Sequence, residues 1–495
     1  MQKQTAKTQK RKKDDTKNIV KKSASAKKKN REFVVVTYFF IAIFVCMMGY
    51  FVYFQIFESE DFINNPYNSR QNLFARNVAR GEIYSADGKV LAETITDARG
   101  NEERRYPYGR LFAHVVGYSV NGKYGIESQE NFSLLRSNIS FLEKMINELQ
   151  GQKNPGDAMV TTLNYNLQVT AYDALGNFDG AIIVMEPSTG KILAMVSKPD
   201  FNPNNIEEEW EGLISEENDS SVLLNRATLG LYPPGSVFKI FTTLEYIHEN
   251  PDYENYNYDC IGSFSHGGQT IRCYNNKKHG QQNLMEAFAN SCNASYASLG
   301  MSLNLEHFGT LCNDLLFHSA LPTKFESSKS SFVLEPGDSA AAVAETAIGQ
   351  GKTLVTPLHM ALLTCAIAND GVLMNPYVID SIINAEGEMI KEYEPTQYGL
   401  LLAERDAFLM QEYMSYVVEE GTGEKLSGQS YEASGKTGSA EFSSSSKASH
   451  SWFVGYAHRE DKADIAVSII VEDSGAGSEY AVPIAKKIFD AYYAH

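Results

Sequence analysis

Tyr232-Pro-Pro-Gly-Ser236-Val-Phe-Lys239-Ile-Phe-Thr-Thr243 is the stretch around which the chain is organised. A Pro-Pro-Gly turn runs at once into an apolar-periodic helix, with a serine in its first turn and a lysine three residues later. Positions three apart share a helical face, so the Ser236 hydroxyl and the Lys239 amine point into the same space. A weak nucleophile then sits beside a base. The bare Ser-x-x-Lys pattern recurs at Ser25/Lys28, Ser188/Lys191 and Ser444/Lys447. Ser25 lies in a lysine-rich tail, Ser188 in the turn Pro187-Ser-Thr-Gly190 and Ser444 in a serine run, and none of these opens an amphipathic helix. Only Ser236 has a context that fixes its side chain.

Two further motifs follow in order. Ser291-Cys-Asn293 comes between two helical stretches, where a turn lets the Ser and Asn side chains project together. Lys436-Thr-Gly-Ser439 lies in an alternating segment read as a strand edge, and Gly438 there would let a substrate backbone approach closely. Each triplet alone is common. Their joint occurrence, in this order and on these elements, is a strong signal.

Charge is divided unevenly along the 495 residues. Residues 1–31 carry 13 Lys/Arg against Asp14 and Asp15, a charge of +11, which leaves −28 of the overall −17 on residues 32–495. A body this acidic argues against nucleic acid as a partner, since phosphate binding needs a basic face. Residues 33–54 hold no charge across 22 positions, and about 20 apolar residues suffice to cross a bilayer as a helix. The Lys/Arg-rich side belongs in the cytoplasm. The expected arrangement is a retained single-pass anchor in the cell membrane, N-terminus cytoplasmic and the rest extracytoplasmic. Of the six cysteines, Cys260 and Cys273 bracket a hairpin-like stretch that could bring them together, and a disulfide there is one possibility. The CxxC and His spacings of a zinc site are absent, so no metal ligand is assigned, and no cofactor.

Taken in order, residues 1–31 read as a solvated basic tail without regular structure, drawn to anionic headgroups, and 32–54 as the transmembrane anchor. Residues 55–155 read as an extracytoplasmic pedestal of short strands, with a hairpin over 80–92 around Asp87-Gly88 and a polar helix near 142–150. Residues 156–495 read as the catalytic domain. It opens with a strand over 158–163, a helix over 167–175 and strands over 180–185 and 191–197. Residues 203–221 read as an acidic, solvated loop. A helical middle runs to about residue 368, and strands return over 435–442, 451–457 and 463–471 before a last helix from Val482. Strands at both ends with helices between predict one sheet flanked by helices, an α/β sandwich.

These motifs resemble the class B, monofunctional penicillin-binding proteins, whose set Ser-x-x-Lys, Ser-x-Asn and Lys-Thr-Gly they match. The resemblance covers nearly everything after residue 33. It includes Arg80-Gly-Glu-Ile-Tyr84, Tyr124-Gly-Ile-Glu127, Glu186-Pro-Ser-Thr-Gly190, Asn225-Arg226-Ala227, Ile348-Gly-Gln-Gly351, Thr356-Pro357, Ala368-Asn-Asp-Gly371 and Trp452-Phe-Val-Gly455. The cysteine-bracketed stretch and the short length look most like the PbpA-type subgroup. Departures fall at Ser85-Ala86, where the family usually has Asp-Arg, and at Asn164, where it usually has Asp; both put pedestal salt bridges in doubt.

The resemblance implies a penicillin-binding transpeptidase fold of the serine β-lactamase kind. It also implies a D,D-transpeptidase that cross-links peptidoglycan stem peptides and is acylated by β-lactam antibiotics. On this reading Ser236 is the nucleophile and Lys239 its base, Ser291 passes a proton to the leaving D-alanine, and Lys436 supports the relay. Asn293 binds the substrate backbone, while Thr437 and Ser439 bind its carboxylate. The oxyanion donors are the backbone N–H groups of Ser236 and Ser439. With no polymerase domain in residues 55–155, the implied partner is a multi-spanning membrane glycosyltransferase. His279, His450 and the pair Tyr232/Trp452 are given structural or surface roles ahead of catalytic ones, although Tyr232 and Trp452 could also wall the groove. Competing readings are a hydrolase that passes the acyl group to water, a β-lactam receptor and a scaffold without activity.

Overall fold

The computed structural model describes residues 2–55, 75–97, 99–215, 221–441 and 449–494. Phe442, Ser444, Lys447 and residues 216–220 lie outside the described residues. Contacts divide the chain into two units, Met1–Asn68 and Ser69–His495. Among the described residues the first holds the helix Gln2–Tyr53, of which Phe33–Tyr53 is long and apolar enough to cross a membrane, with mean hydropathy 2.3. Its basic part is helical, where the sequence suggested no regular structure. Lys, Gln and Ala are strong helix formers, and neither Gly nor Pro occurs before Gly49.

In the second unit, one five-stranded antiparallel sheet has the order Glu432–Glu441, Ser449–Arg459, Lys462–Val471, Gly180–Met185, Ile192–Lys198. Strands from both ends of residues 156–495 therefore meet, as expected. Side chains alternate between faces along a strand, and the two faces bury different helices. Ile182, Val184, Phe453, Val467 and Ile469 pack with residues of Tyr165–Leu175 and Ala481–Tyr493. Ala181, Ile183, Trp452, Val454 and Ile470 join the opposite core with Pro357–Ala368, Lys239–Glu249 and Glu404–Glu420. In Pro357–Ala368 every residue through Ile367 is buried, which suits a helix enclosed by protein on all sides. Thr356 caps it by accepting the His359 N–H, with Pro357 in the first turn.

A second sheet has six strands, in the order Met389–Glu392, Ile379–Ile383, Ala158–Thr161, Ile83–Tyr84, Val90–Thr96, Glu102–Arg105. It draws on three separate stretches of sequence, since residues 379–392 return to pair beside Ala158–Thr161. The two departures from the family pattern have local roles here. Ser85 Oγ accepts the Lys89 N–H in the hairpin turn at 2.9 Å, and Asn164 caps Tyr165–Leu175 by accepting the Leu167 N–H at 3.0 Å. An ion cluster of Arg80, Arg104 and Glu127 is nevertheless intact beside this sheet.

The acidic segment expected as a solvated loop contains a helix, Ile206–Leu213. Ile206, Trp210 and Leu213 recur at helical spacing and pack on Phe201 and Tyr118. Glu207, Glu208 and Glu209 occupy the first turn, where the helix dipole favours negative charge.

Candidate active site

The serine turn, Gly235–Phe238, is a short 3-10 segment that runs directly into Lys239–Glu249. Ile240, Phe241, Leu244 and Ile247 bury the apolar face of that helix, which fixes its rotation and aims Lys239 inward. The Lys239 side chain is fully buried. Its amine donates to Ser291 O and Asn293 Oδ1, each at 2.8 Å, and lies 3.3 Å from Ser291 Oγ. Burial pulls its pKa down to about 7, against the opposing influence of Cys292 and Cys273. A neutral amine has two N–H donors and one lone pair. Two good acceptors take the donors and leave the lone pair for a proton from a neighbouring hydroxyl.

Ser291 has φ +51, a left-handed conformation unusual outside glycine. The cap of the following helix, Asn293–Gly300, is Cys292, which accepts the Ser295 N–H. The turn is what lets Ser291 and Asn293 both face Lys239. Asn293 Nδ2 also donates to Arg272 O at 3.0 Å, tying the turn to the end of the strand Gln269–Arg272.

Lys436 lies on Glu432–Glu441, an edge strand of the five-stranded sheet. It pairs with Val454, whose side chain belongs to the core shared with the serine helix. Lys436 is fully buried and donates to Thr437 O at 3.0 Å. Burial, and then the charge of Lys239, hold its pKa well below the usual lysine range. Thr437 Oγ1 is 2.6 Å from Thr422 Oγ1. Ser439 Oγ accepts the Gly477 N–H at 3.2 Å.

The space at Gly438 is taken by the protein itself. A Cβ there would come within 3.1 Å of Pro234 O and Val237 Cγ1 and 3.0 Å of Trp452 Cβ. This glycine lets the serine turn lie against the lysine strand. Gly235, at φ +55, does the same from the other side, because a Cβ would meet Ser439 O at 2.8 Å.

All three motifs are therefore held to one another by short contacts. Thr422 adds a link that sequence reading passed over. The Thr422 N–H bonds Ala289 O, next to the Ser291 turn, and the Thr422 hydroxyl meets Thr437. Its signal was Gly421-Thr422-Gly423 directly after a long helix. Tyr232 and Trp452 are core residues. Trp452 is fully buried and donates to Pro233 O at 3.1 Å, while Tyr232 donates to Glu472, which also holds Arg226. Of the other Ser-x-x-Lys matches, Lys191 pairs with Asp380 at 3.1 Å.

His279 is not isolated. Its Nδ1 lies 3.4 Å from Cys260 Sγ, and Cys260 Sγ lies 3.6 Å from Cys273 Sγ. Cys292 completes the group, 3.7 Å from Cys273. The sequence spacing, without CxxC, gave no hint of a four-residue cluster assembled from separate segments.

Residues 180–490 match the family profile for the penicillin binding protein transpeptidase domain. The chain belongs to the penicillin-binding protein transpeptidase family. Residues 80–159 match the penicillin binding protein A dimerisation domain. Peptidoglycan D,D-transpeptidase PbpA of Mycolicibacterium smegmatis is 29% identical over 478 residues, covering 87% of this chain and 92% of that one. The solved D,D-transpeptidase domain of a peptidoglycan glycosyltransferase from Eggerthella lenta is 30% identical with TM-score 0.73, covering 84% of this chain and 99% of that one. Penicillin-binding protein A of M. tuberculosis, solved as a ceftriaxone acyl-enzyme, is 26% identical with TM-score 0.76, over 86% of this chain and 100% of that one.

One prediction for this family member concerns the glycine joint behind the serine. Gly349, at φ +81, accepts the Gly235 N–H, and a Cβ on it would meet Gly235 O at 1.8 Å. Gly349→Ala is expected to shift the turn carrying Ser236 and to slow acylation by benzylpenicillin on the order of 100-fold. Rapid-quench labelling checks this, with circular dichroism confirming the fold.

Proposed function

We propose that this chain is a membrane-anchored serine D,D-transpeptidase that cross-links peptidoglycan stem peptides and is acylated by β-lactams. The observation that carries the reading is a buried amine, Lys239, with both its N–H groups engaged by the Ser291 turn, one helical turn from a serine. Ser236 Oγ attacks the carbonyl carbon of the D-Ala–D-Ala bond as its proton passes to Lys239. The C–N bond breaks, and the departing D-alanine takes a proton through Ser291. The amine of a second stem peptide then attacks the ester, releasing Ser236 and forming the cross-link.

Lys436 supports the relay from the strand beside Lys239, and Thr437 and Ser439 bind the terminal carboxylate. Asn293 holds the substrate amide backbone. The oxyanion rests on the N–H groups of Ser236 and Ser439, the serine turn and the strand edge supplying one donor each. Gly438 contributes by letting these two elements meet. In a β-lactam the leaving nitrogen stays tethered to the acyl group, which gives a slowly released acyl-enzyme of the kind solved for the M. tuberculosis protein.

Residues 1–31 are assigned to the cytoplasm, 32–54 to the membrane, 55–155 to the pedestal and 156–495 to catalysis outside the cell. The charge of residues 1–31 supports that orientation. Glycan polymerisation is assigned to a multi-spanning membrane glycosyltransferase partner.

Intact mass spectrometry of the full chain in detergent after benzylpenicillin treatment tests the reading, with Ser236→Ala as control. A persistent adduct on Ser236, absent from the variant, is expected. Steady drug turnover would favour a hydrolase, and neither adduct nor turnover in folded protein would overturn the site. The acylation rate should also rise with pH through about 7 and then level, because only the neutral Lys239 amine accepts the serine proton. A rate that is flat across that range speaks against Lys239 as base.

A further inference from the structure

We propose that Cys260, Cys273, His279 and Cys292 bind one zinc ion in a closed, structural site beneath the turn that carries Ser291 and Asn293. The ligand atoms of all four side chains lie within 4.8 Å of one another. Zinc bonds of about 2.3 Å to sulfur and 2.0–2.1 Å to nitrogen, at tetrahedral angles, place two sulfurs about 3.8 Å apart and sulfur and nitrogen about 3.5 Å apart. The separations here are 3.6 and 3.7 Å between sulfurs and 3.4 Å between Cys260 Sγ and His279 Nδ1. These three separations match edges of a zinc tetrahedron. A disulfide needs about 2.05 Å between its sulfurs and employs only two of the four groups.

The surrounding backbone is built to present these ligands. Cys260 ends the strand Tyr258–Cys260, which pairs with Gly280–Gln282 so that Gly280 lies opposite Cys260, and this brings His279 alongside. Cys273 follows the hairpin strand Gln269–Arg272, and its N–H bonds Gly262 O at 3.0 Å. Cys292 heads the helix Asn293–Gly300 and accepts the Ser295 N–H at 3.4 Å, a contact that suits a metal-bound thiolate. The three cysteines are buried, and His279 closes the site toward the surface. The spacing is C-x12-C-x5-H-x12-C.

Three thiols and one imidazole give the closed Cys3His set of structural zinc, with no position left for water. Binding exchanges three thiol protons for one Zn2+, leaving a net charge of −1 on the site and releasing the protons to solvent. The role is positioning. Cys292 lies between the two residues that hold Lys239, and Asn293 is hydrogen-bonded to Arg272, the neighbour of Cys273. The ion would clamp the hairpin to the catalytic turn and hold Ser291 in its left-handed conformation.

The test is the metal content of the full-length protein, purified in detergent without chelator and measured by inductively coupled plasma mass spectrometry. The result expected is one zinc per chain in the wild type and in Cys365→Ser, a buried cysteine elsewhere. Cys260→Ser and His279→Gln should hold clearly less. Cobalt in place of zinc should give the visible bands of tetrahedral thiolate coordination. In variants that remain folded by circular dichroism, penicillin acylation should slow on the order of 10- to 100-fold. Wild-type protein that carries no zinc and takes up none when Zn2+ is added overturns the proposal. So does a mass short of two hydrogens without metal, which marks a disulfide. Neither readout depends on catalysis, so failure of the metal site and failure of the transpeptidase reading are separable.

Discussion

Lys239→Met abolishes covalent capture of benzylpenicillin on Ser236, lowering the acylation rate on the order of 10⁴-fold, while the protein remains folded. The loss follows from the lone-pair argument. A serine hydroxyl is a weak nucleophile at its own pKa and needs an adjacent base. The other nearby lysine, Lys436, uses its amine on Thr437 O from the strand.

Stability should change much less. The folded pKa of Lys239, about 7, lies below the unfolded value of about 10.4. Burying this lysine therefore opposes folding fully at pH below 7, and the penalty fades as pH rises between the two values. Methionine fills similar space without a charge to desolvate, which removes that penalty. In exchange Ser291 O and Asn293 Oδ1 lose their donor, at roughly 1–3 kcal/mol for each acceptor left unpaired. The two effects oppose, so the melting midpoint near neutral pH should move little. Fluorescent-penicillin labelling with calorimetry checks both halves. An acylation rate within about tenfold of wild type, in folded protein, removes Lys239 from the base role.

Much of the site was legible because its parts are local. Ser236 and Lys239 share one helical turn, Ser291 and Asn293 one loop, and Lys436 to Ser439 one strand. The central sheet was legible for a similar reason, since Gly180–Met185 and residues 465–471 are continuous runs of buried residues. What escaped depended on partners distant in sequence. Glu207 to Glu209 dominate the composition of their segment, yet the fold there is set by Ile206, Trp210 and Leu213 meeting Phe201 and Tyr118. Residues 379–392 look like an ordinary hairpin until they join the sheet of residues 83–105. The cysteine and histidine cluster obeys no local spacing rule because each ligand arrives on its own element. Serine is the commoner helix cap, yet the left-handed turn at Ser291 hands the cap of Asn293–Gly300 to Cys292.

Glu127→Ala is expected to destabilise the second unit by about 3–5 kcal/mol, the usual cost of removing one partner of a buried ion pair. Glu127 is fully buried, and its carboxylate meets the Nε of both Arg80 and Arg104, the latter at 2.7 Å. Tyr106 adds a hydroxyl at 3.3 Å. Alanine would leave two guanidinium groups with side chains only 10% and 8% exposed facing each other without an anion. Burial alone would push the Glu127 carboxyl up, but Arg104 and Arg80 together hold it below the usual carboxylate range. A carboxylate whose folded pKa is depressed contributes stability above its unfolded pKa of about 4.3. That contribution is lost as pH falls through the lower, folded value. The wild type should therefore lose stability in acid more steeply than Glu127→Ala, and the two melting midpoints should converge there. Calorimetry at pH 7 and at successively lower pH measures both the gap and its closure. Glu127→Gln, which keeps an acceptor but no charge, should fall between them. A gap at pH 7 under about 1 kcal/mol would mean that the pair's attraction barely exceeds the desolvation of its charges, as buried ion pairs sometimes do.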